Sequence, residues 1–250
     1  MKILALDSSG LVASVAVVEN ETLLAEYTVN YKKTHSQTLL PMLDEISNMI
    51  ELDLSTIDAI AVSGGPGSFT GLRIGSATAK GLGLALDKPL ISIPTTAAIA
   101  YNIWDTDKFV CPIMDARRNQ VYAGLYCYTD HHLDTIWEQD ALSIEALAEG
   151  LNCLDHEVIF LGDGVAVYRE KLEALLTIPF SFAPAHVNRQ RAAAVGALAE
   201  VYYKEGKIQT AEEHEPEYLR KSQAERERAE RESVKHADVV KKQENGERNE

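Results

Sequence analysis

The chain contains the stretch Ser63-Gly64-Gly65-Pro66-Gly67-Ser68-Phe69-Thr70-Gly71-Leu72-Arg73-Ile74-Gly75, which follows an apolar run at 57–62. Small residues continue to Leu86, so the pattern predicts a strand, a glycine turn and a helix rich in Gly, Ala and Ser. Backbone N–H groups and the dipole at such a helix N-terminus can bind an anion. Small helix residues also let a second helix approach closely. The stretch therefore predicts an anion site or a helix-packing surface.

Two common nucleotide-binding motifs are excluded by the glycine spacing. A P-loop has four residues between its glycines and then Lys-Ser/Thr, whereas Gly67 and Gly71 enclose three residues and Leu72-Arg73 follows. A dinucleotide fingerprint fails because the glycine order differs and no βαβ unit precedes the stretch. A tight turn whose glycines only accommodate positive φ remains as a third interpretation.

Composition limits the class of protein. The 250 residues are 46% hydrophobic, which suffices for one large domain or two lobes. The formal net charge is −14, so we expect any nucleic acid to be held mainly by a partner that supplies Lys and Arg. No apolar run approaches the roughly 18 residues of a membrane span, and the N-terminus enters a strand at once. We therefore expect a cytoplasmic protein that does not contact membranes.

A repeated order of strands and helices is the main signal for the fold. The first part predicts strands at 2–7, 12–18, 22–27, 57–62 and 89–93 and helices at 36–50 and 71–86. The second part predicts strands at 110–116, 121–128, 133–138 and 158–161 and helices at 144–151, 165–176 and 189–205. This order predicts an α/β chain in which one topology is used twice.

The repeat suggests a division into three parts. We expect an N-terminal lobe at 1–105, a smaller C-terminal lobe at 106–206, and a charged, flexible tail at 207–250. The pattern leaves open which lobe the helix within 188–206 packs on. Inside the tail, Pro216-Glu217-Tyr218-Leu219-Arg220 retains an apolar anchor that predicts docking to the body of the protein.

One topology used twice is the plan of the two-lobed, ribonuclease H-like fold of actin, Hsp70 and the sugar kinases. More specifically, roughly the first 125 residues resemble the TsaB (YeaZ) family. The resemblance lies in Ile3-Leu4-Ala5-Leu6-Asp7-Ser8-Ser9, His35-Ser36-Gln37-Thr38-Leu39-Leu40-Pro41, the Gly64–Gly75 run and Met114-Asp115-Ala116-Arg117-Arg118. It implies a non-catalytic subunit of the bacterial complex that makes N6-threonylcarbamoyladenosine at position 37 of tRNA.

The resemblance also implies partners. A TsaB-like chain binds and stabilises its catalytic paralogue TsaD, works with the ATPase TsaE, and meets tRNA only through the complex. TsaD carries a His-x-x-x-His metal pair after the strand that follows the glycine helix. The corresponding residues here are Thr95 and Ile99, and neither replaces imidazole well as a ligand. We therefore predict no metal and no catalytic residues.

The second helix carries the predicted partner surface, together with the helix that begins near His35. Glycine inside a helix costs about 1 kcal/mol relative to alanine, so Gly75, Gly81 and Gly83 indicate close approach of a neighbour. The candidate partner-binding residues are His35, Ser36, Leu39, Leu40, Leu43, Phe69, Thr70, Gly71, Arg73, Ile74, Gly75 and Thr78. The same surface would permit a homodimer when TsaD is absent.

A second set of residues suggests a remnant nucleotide or anion cleft: Asp7, Ser8, Ser9, Arg117, Arg118, Gly162 and Gly164. Asp7 either positions Mg²⁺ through water, as the superfamily resemblance implies, or caps its own turn. One interpretation is that one of Arg117 and Arg118 binds a phosphate, since guanidinium suits bidentate anion recognition. The alternative is that both are ordinary exposed charges of a hairpin turn. We expect no cofactor on the isolated chain, with ATP or ADP at a shared interface as the open alternative. An independent ATP-binding enzyme of the sugar-kinase type is the alternative function.

Overall fold

The computed structural model describes residues 1–31 and 34–220. Met1–Tyr218 form one compact unit, and of the second unit, Leu219–Glu250, only the first two residues are described. The predicted tail segment at 221–250 thus lies outside the described residues. The expected lobe limits at 105 and 206 stay predictions.

The first sheet is mixed and has the order β3-β2-β1-β4-β5. Its strands are β1 (Lys2–Asp7), β2 (Val12–Glu19), β3 (Thr22–Asn30), β4 (Ala59–Gly65) and β5 (Leu90–Pro94). Short turns join β1, β2 and β3, which forces them to be antiparallel, whereas β4 runs parallel to β1 and to β5. The carboxyl ends of β1 and β4 therefore lie side by side, where Asp7 and Ser63 meet.

The helices associated with this sheet follow its connections. They are a 3-10 turn at His35–Gln37, α1 (Leu39–Met49), a 3-10 turn at Leu54–Thr56, α2 (Phe69–Leu86) and α3 (Thr95–Ala100). Ser36 lies inside the first 3-10 turn, and Thr38 precedes α1. Helix α3 was missed from sequence because it has only six residues and all six are buried, so no exposed face reveals its period.

The second sheet repeats the first, in the order β8-β7-β6-β9-β10. Its strands are β6 (Phe109–Arg117), β7 (Gln120–Thr129), β8 (His132–Ser143), β9 (Val158–Leu161) and β10 (Phe180–Phe182), with helices α4 (Ile144–Asn152), α5 (Gly164–Leu175) and α6 (Ala192–Lys204). Two mixed five-stranded sheets with the same connections confirm the predicted fold class. Strand β10 was not predicted, since three residues give no periodic signal.

Helix α6 packs on the first sheet, which answers the question the sequence left open. The Ala192 N–H donates to Ser14 Oγ at 2.9 Å. A β-carbon on Gly196 would lie 2.7 Å from Val18 Cγ2, so the helix backbone comes very close to β2. The core on this side also includes residues of β6, so α6 and α3 help to fill the space between the two sheets.

The segment Lys207–Tyr218, here called the C-terminal strap, returns to the first sheet. Leu90 and Gln209 exchange two backbone hydrogen bonds of 2.8 and 2.9 Å. Lys80 Nζ donates to the carbonyl oxygens of Glu212 and His214 at 3.2 and 2.9 Å. The strap, which is the first part of the segment expected to be a flexible tail, is thus hydrogen-bonded to α2 and β5. Within the described ranges, no helix is long and apolar enough to cross a bilayer.

Candidate functional site

The glycine loop between β4 and α2 packs against the turn that joins β1 to β2. Ser68 caps α2, since its Oγ accepts from the Gly71 N–H at 3.3 Å. The Ser68 N–H in turn donates to the Ser9 carbonyl oxygen at 2.7 Å. Ser8 Oγ donates to the Gly71 carbonyl oxygen at 2.9 Å. The two loops therefore satisfy each other's polar groups.

Close approach explains three glycines of the motif. A β-carbon would lie 2.3 Å from the Ser9 carbonyl oxygen at Gly67, and 2.0 Å from the Ser8 carbonyl oxygen at Gly71. At Gly75 it would lie 2.5 Å from Ser8 Oγ. These three glycines let α2 reach the chain's own first hairpin, and they lie away from the exposed side of the helix.

Asp7 is fully buried at the centre of this contact. Its Oδ1 accepts from the Ser9 N–H at 2.9 Å and from Ser9 Oγ at 2.7 Å, and its Oδ2 accepts from Ser63 Oγ at 2.6 Å. Burial raises the pKa of Asp7, and the bonds from Ser63 and Ser9 oppose that rise. Both carboxyl oxygens thus accept hydrogen bonds within the chain, which is the geometry of a turn cap.

The second candidate loop is closed in a similar way. Gly162 has a φ of +101°, and a β-carbon there would lie 2.1 Å from the Ile113 carbonyl oxygen. The Gly162 N–H donates to the Asn188 carbonyl oxygen at 3.0 Å, and the Gly162 carbonyl oxygen accepts from Arg189 Nη1 at 2.8 Å. Gly164 also lies against Ile113. Both backbone polar groups of Gly162 are thus engaged within the chain.

Arg117 and Arg118 occupy the turn between β6 and β7, where both side chains are exposed. The Arg117 N–H donates to Asp115 Oδ1 at 2.8 Å. Within the described residues, no hydrogen bond or ion pair joins either arginine to Asp7.

The predicted partner-binding residues divide into two groups by burial. Leu39, Leu43, Gly71 and Gly75 are buried and pack α1 and α2 onto the first sheet. The remainder are exposed or half-buried: His35, Ser36, Leu40, Phe69, Thr70, Arg73, Ile74 and Thr78. The 3-10 turn at His35–Gln37 lies beside α2, and His35 Nε2 contacts the Gly10 carbonyl oxygen at 2.7 Å. These eight residues are here called the helix face.

Tyr218 of the strap adjoins the helix face and was not among the predicted site residues. Its ring lies 4.7 Å from that of Phe69, centroid to centroid. The Arg73 guanidinium lies 4.1 Å above the Phe69 ring, and Arg73 Nε donates to Tyr218 Oη at 3.4 Å. The sequence did offer a signal, since Tyr218 belongs to the apolar anchor at 216–220.

The strap also meets the glycine loop itself. The Glu217 N–H donates to the Gly64 carbonyl oxygen at 2.7 Å. Gly65 has a φ of +121°, and a β-carbon there would lie 2.3 Å from the Glu217 carbonyl oxygen. From β8, Gln139 Nε2 donates to Gly65 O at 3.0 Å and to Glu217 Oε2 at 2.8 Å. The glycine loop thus joins both sheets and the strap.

Thr95 and Ile99, at the positions compared with a metal-binding histidine pair, are both fully buried in α3. Ile99 belongs to the apolar cluster that includes Ile91 of β5 and Val110 of β6. Thr95 Oγ1 has no partner within the described residues. Ile99 therefore serves as core packing.

Residues 22–228 match the family model described as TsaD: tRNA N6-adenosine threonylcarbamoyltransferase. The tRNA threonylcarbamoyladenosine biosynthesis protein TsaB of Bacillus subtilis (strain 168) is 32% identical over 225 residues, covering 90% of this chain and 96% of that protein. Its counterpart in Escherichia coli (strain K12) is 31% identical over 229 residues, with the same two coverages.

A solved structure shows the same likeness in three dimensions. The structure of YeaZ from Pseudomonas aeruginosa superposes with a TM-score of 0.76 at 28% sequence identity. The match covers 87% of this chain and 99% of that chain.

Proposed function

Because this chain belongs to the TsaB family of tRNA threonylcarbamoyladenosine biosynthesis proteins, related to TsaD, we propose that it is a non-catalytic subunit of the complex that modifies adenosine 37 of tRNA. In this role it binds and stabilises a TsaD-type catalytic subunit and works with TsaE. The supporting observation is near-complete coverage of TsaB, 96% of the Bacillus subtilis protein. The burial of Ile99 in apolar core also favours a role without a TsaD-like metal centre.

The helix face is proposed as the docking surface for TsaD. Leu40 is 54% exposed on α1, and Thr70 and Arg73 are exposed at the start of α2. Exposed apolar groups rimmed by polar residues are typical of protein–protein contacts. Gly71 and Gly75 hold α2 against the first hairpin, so the face is built on a fixed support. The same face would pair two copies of the chain when TsaD is absent.

Nucleotide is proposed to bind only where the chain meets its partner. Asp7 and Gly162 are closed by contacts within the chain, which argues against a phosphate site on the isolated subunit. ATP or ADP is therefore proposed to bind at the interface with the partner, where the partner supplies the phosphate contacts. The chain is proposed to meet tRNA through the assembled complex.

A paired substitution tests the docking surface. Leu40→Glu places a charge in the proposed interface, whereas Val167→Glu changes an equally exposed residue, 57% exposed, on α5 beside the second sheet. Leu40→Glu is expected to weaken binding of the organism's TsaD by at least about tenfold, or about 1.4 kcal/mol, in a calorimetric titration. Val167→Glu is expected to leave the affinity unchanged.

Equal affinities for wild type and Leu40→Glu would remove the helix face from the proposal. ATP hydrolysis by the isolated chain is measured in parallel. Robust turnover there would favour the independent sugar-kinase-type enzyme over the subunit.

A further inference from the structure

The β6–β7 hairpin carries two positive side chains that have no partner within residues 1–31 and 34–220. Arg117 and Arg118 are exposed, and neither guanidinium makes a hydrogen bond, ion pair or ring contact in that part of the chain. The guanidinium groups of the other arginines up to residue 218 all have partners. Arg73 and Arg169 lie over the rings of Phe69 and Phe182, Arg189 donates to the Gly162 carbonyl oxygen, and Arg191 donates to the Glu26 carboxylate. The hairpin is therefore unusual within this acidic chain.

The backbone of the turn is held in a rare conformation. Arg117, Arg118 and Asn119 have φ values of +62°, +56° and +61°. The left-handed region costs an ordinary residue roughly 1–2 kcal/mol, and hairpin turns of this kind prefer Asn and Gly. Turn propensity therefore does not explain two arginines here. The turns at Asn20–Glu21 and Asp130–His131 have the same left-handed backbone, so the conformation places the two arginines at the tip of a tight hairpin and is not by itself a mark of function.

Hydrogen bonds hold the turn in place and engage the two nearby carboxylates, Asp115 and Glu145. Asn119 Nδ2 donates to both oxygens of Glu145 at 3.0 and 2.9 Å, and Lys171 Nζ contacts Asn119 and Glu145. Asp115 accepts from the Arg117 backbone N–H. Neither acid pairs with an arginine side chain. The turn thus presents two positive charges on a braced support.

We infer that Arg117 and Arg118 form a phosphate-binding point for the RNA backbone of tRNA, which rests on the proposed function. Guanidinium binds phosphate through two parallel hydrogen bonds. Contacts to phosphate position a nucleic acid without reading its sequence. The formal net charge of −14 opposes RNA binding elsewhere on the chain. This point therefore binds tRNA weakly on the isolated chain and adds to the partner's contacts in the assembly.

A protein partner with acidic side chains is the competing ligand. Energetically important protein contacts are surrounded by residues that exclude water. Within the described residues, the exposed large apolar side chains lie elsewhere, and the turn itself exposes Arg117, Arg118 and Asn119. A polar, charged tip of this kind suits a hydrated phosphate better than a protein interface.

Two double variants and one control test this inference. Arg117→Asn with Arg118→Asn removes the charge but keeps residues that tolerate left-handed backbone. Arg117→Lys with Arg118→Lys keeps the charge. Lys204→Ala removes an exposed positive charge at the end of α6, where it pairs with Glu21. Labelled tRNA is titrated against the chain alone and against its assembly with TsaD, at several NaCl concentrations.

The Asn double variant is expected to lower the slope of log affinity against log salt by about 2 in both titrations, since each lost phosphate contact removes about 1. The Lys double variant and Lys204→Ala are expected to keep the slope. An unchanged slope for the Asn variant overturns the inference. Weaker binding of TsaD with an unchanged tRNA slope also overturns it, in favour of a protein ligand.

Size-exclusion chromatography of the same samples reports separately whether the assembly forms. If wild-type chain and TsaD do not associate, the proposed function fails, and the titration of the chain alone still decides the role of the arginines. Thermal unfolding of the Asn double variant shows whether the hairpin remains folded. A folded variant with wild-type tRNA binding counts against the inference.

Discussion

The ring of Tyr218 packs on the ring of Phe69 at a centroid distance of 4.7 Å, so the end of the strap covers the first turn of α2. Arg73 contacts both of these residues. Its guanidinium stacks on the Phe69 ring, and its Nε donates a hydrogen bond to Tyr218 Oη. The strap and the helix face are therefore parts of one continuous surface. A partner that docks on α2 is expected to meet Tyr218 as well.

Removing the Tyr218 ring should release the end of the strap. Tyr218→Ala forfeits the ring pair with Phe69, which is typically about 0.5–1.5 kcal/mol beyond the buried area. Faster hydrogen exchange at 215–218 and weaker TsaD binding are expected, measured by mass spectrometry and calorimetry. Tyr31→Ala, at a tyrosine that is 68% exposed, is the control. Wild-type exchange at 215–218 in Tyr218→Ala would contradict the docking role.

Two glycines of α2 should respond in opposite ways to the same substitution. Gly71→Ala brings a β-carbon to 2.0 Å from the backbone oxygen of Ser8, and overpacking of this kind costs about 1–3 kcal/mol. Gly81 has no atom within 4 Å of that position, so Gly81→Ala is expected to stabilise by about 0.5–1 kcal/mol through helix propensity.

Urea denaturation of both alanine variants measures these changes. If Gly71→Ala and Gly81→Ala shift the free energy of unfolding in the same direction, the close contact with Ser8 is not a constraint on folding. The contrast also bears on the partner surface, because Gly75 lies against Ser8 and a large residue there would disturb the fold before it disturbed docking.

The strands were largely predictable because apolar runs and short turns limit them. Lys2–Asp7 and Val158–Leu161 have the bounds expected from sequence, since continuous apolar segments bounded by turn residues are typical of buried strands. The repeated order also sufficed for the fold class. Local pattern and global topology agree throughout these segments.

Helix α2 shows a contact surface that the sequence alone does not determine. Its small residues indicate close approach, but composition does not say which neighbour approaches. Gly71 and Gly75 face the chain's own Ser8, whereas Gly81 faces open space. The apolar anchor at 216–220 predicts that Tyr218 docks on the body of the protein, but no local pattern indicates that its ring packs on Phe69.

The buried carboxyl group of Asp7 should make stability depend on pH. Burial raises its pKa above the ordinary 3.8, so the folded chain holds this proton more tightly than the unfolded chain. The resulting stabilisation is present below the ordinary pKa and is lost as pH rises through the folded value. Asp7→Asn removes the buried charge and is expected to gain stability relative to wild type as pH rises from 4 towards 7.

Denaturant midpoints of wild type and Asp7→Asn across that range measure the effect. Asp44→Asn, at an exposed residue of α1, controls for the change in net charge. A stability difference between Asp7→Asn and wild type that stays constant with pH would show that burial does not perturb this carboxyl group.

Introducing a histidine pair at Thr95 and Ile99 of α3 should destabilise the core without creating a metal centre. Ile99 is fully buried in an apolar cluster that contains residues of both sheets. Burying an unpaired imidazole there is expected to lower the free energy of unfolding by at least about 2 kcal/mol. Ile208→His, at a residue that is 46% exposed on the strap, is the matched control and is expected to stay near wild type. Thermal unfolding and zinc titration of Thr95→His with Ile99→His test both points. A stable double variant that binds zinc would show that α3 retains the geometry of a metal site and that core packing does not exclude a histidine pair there.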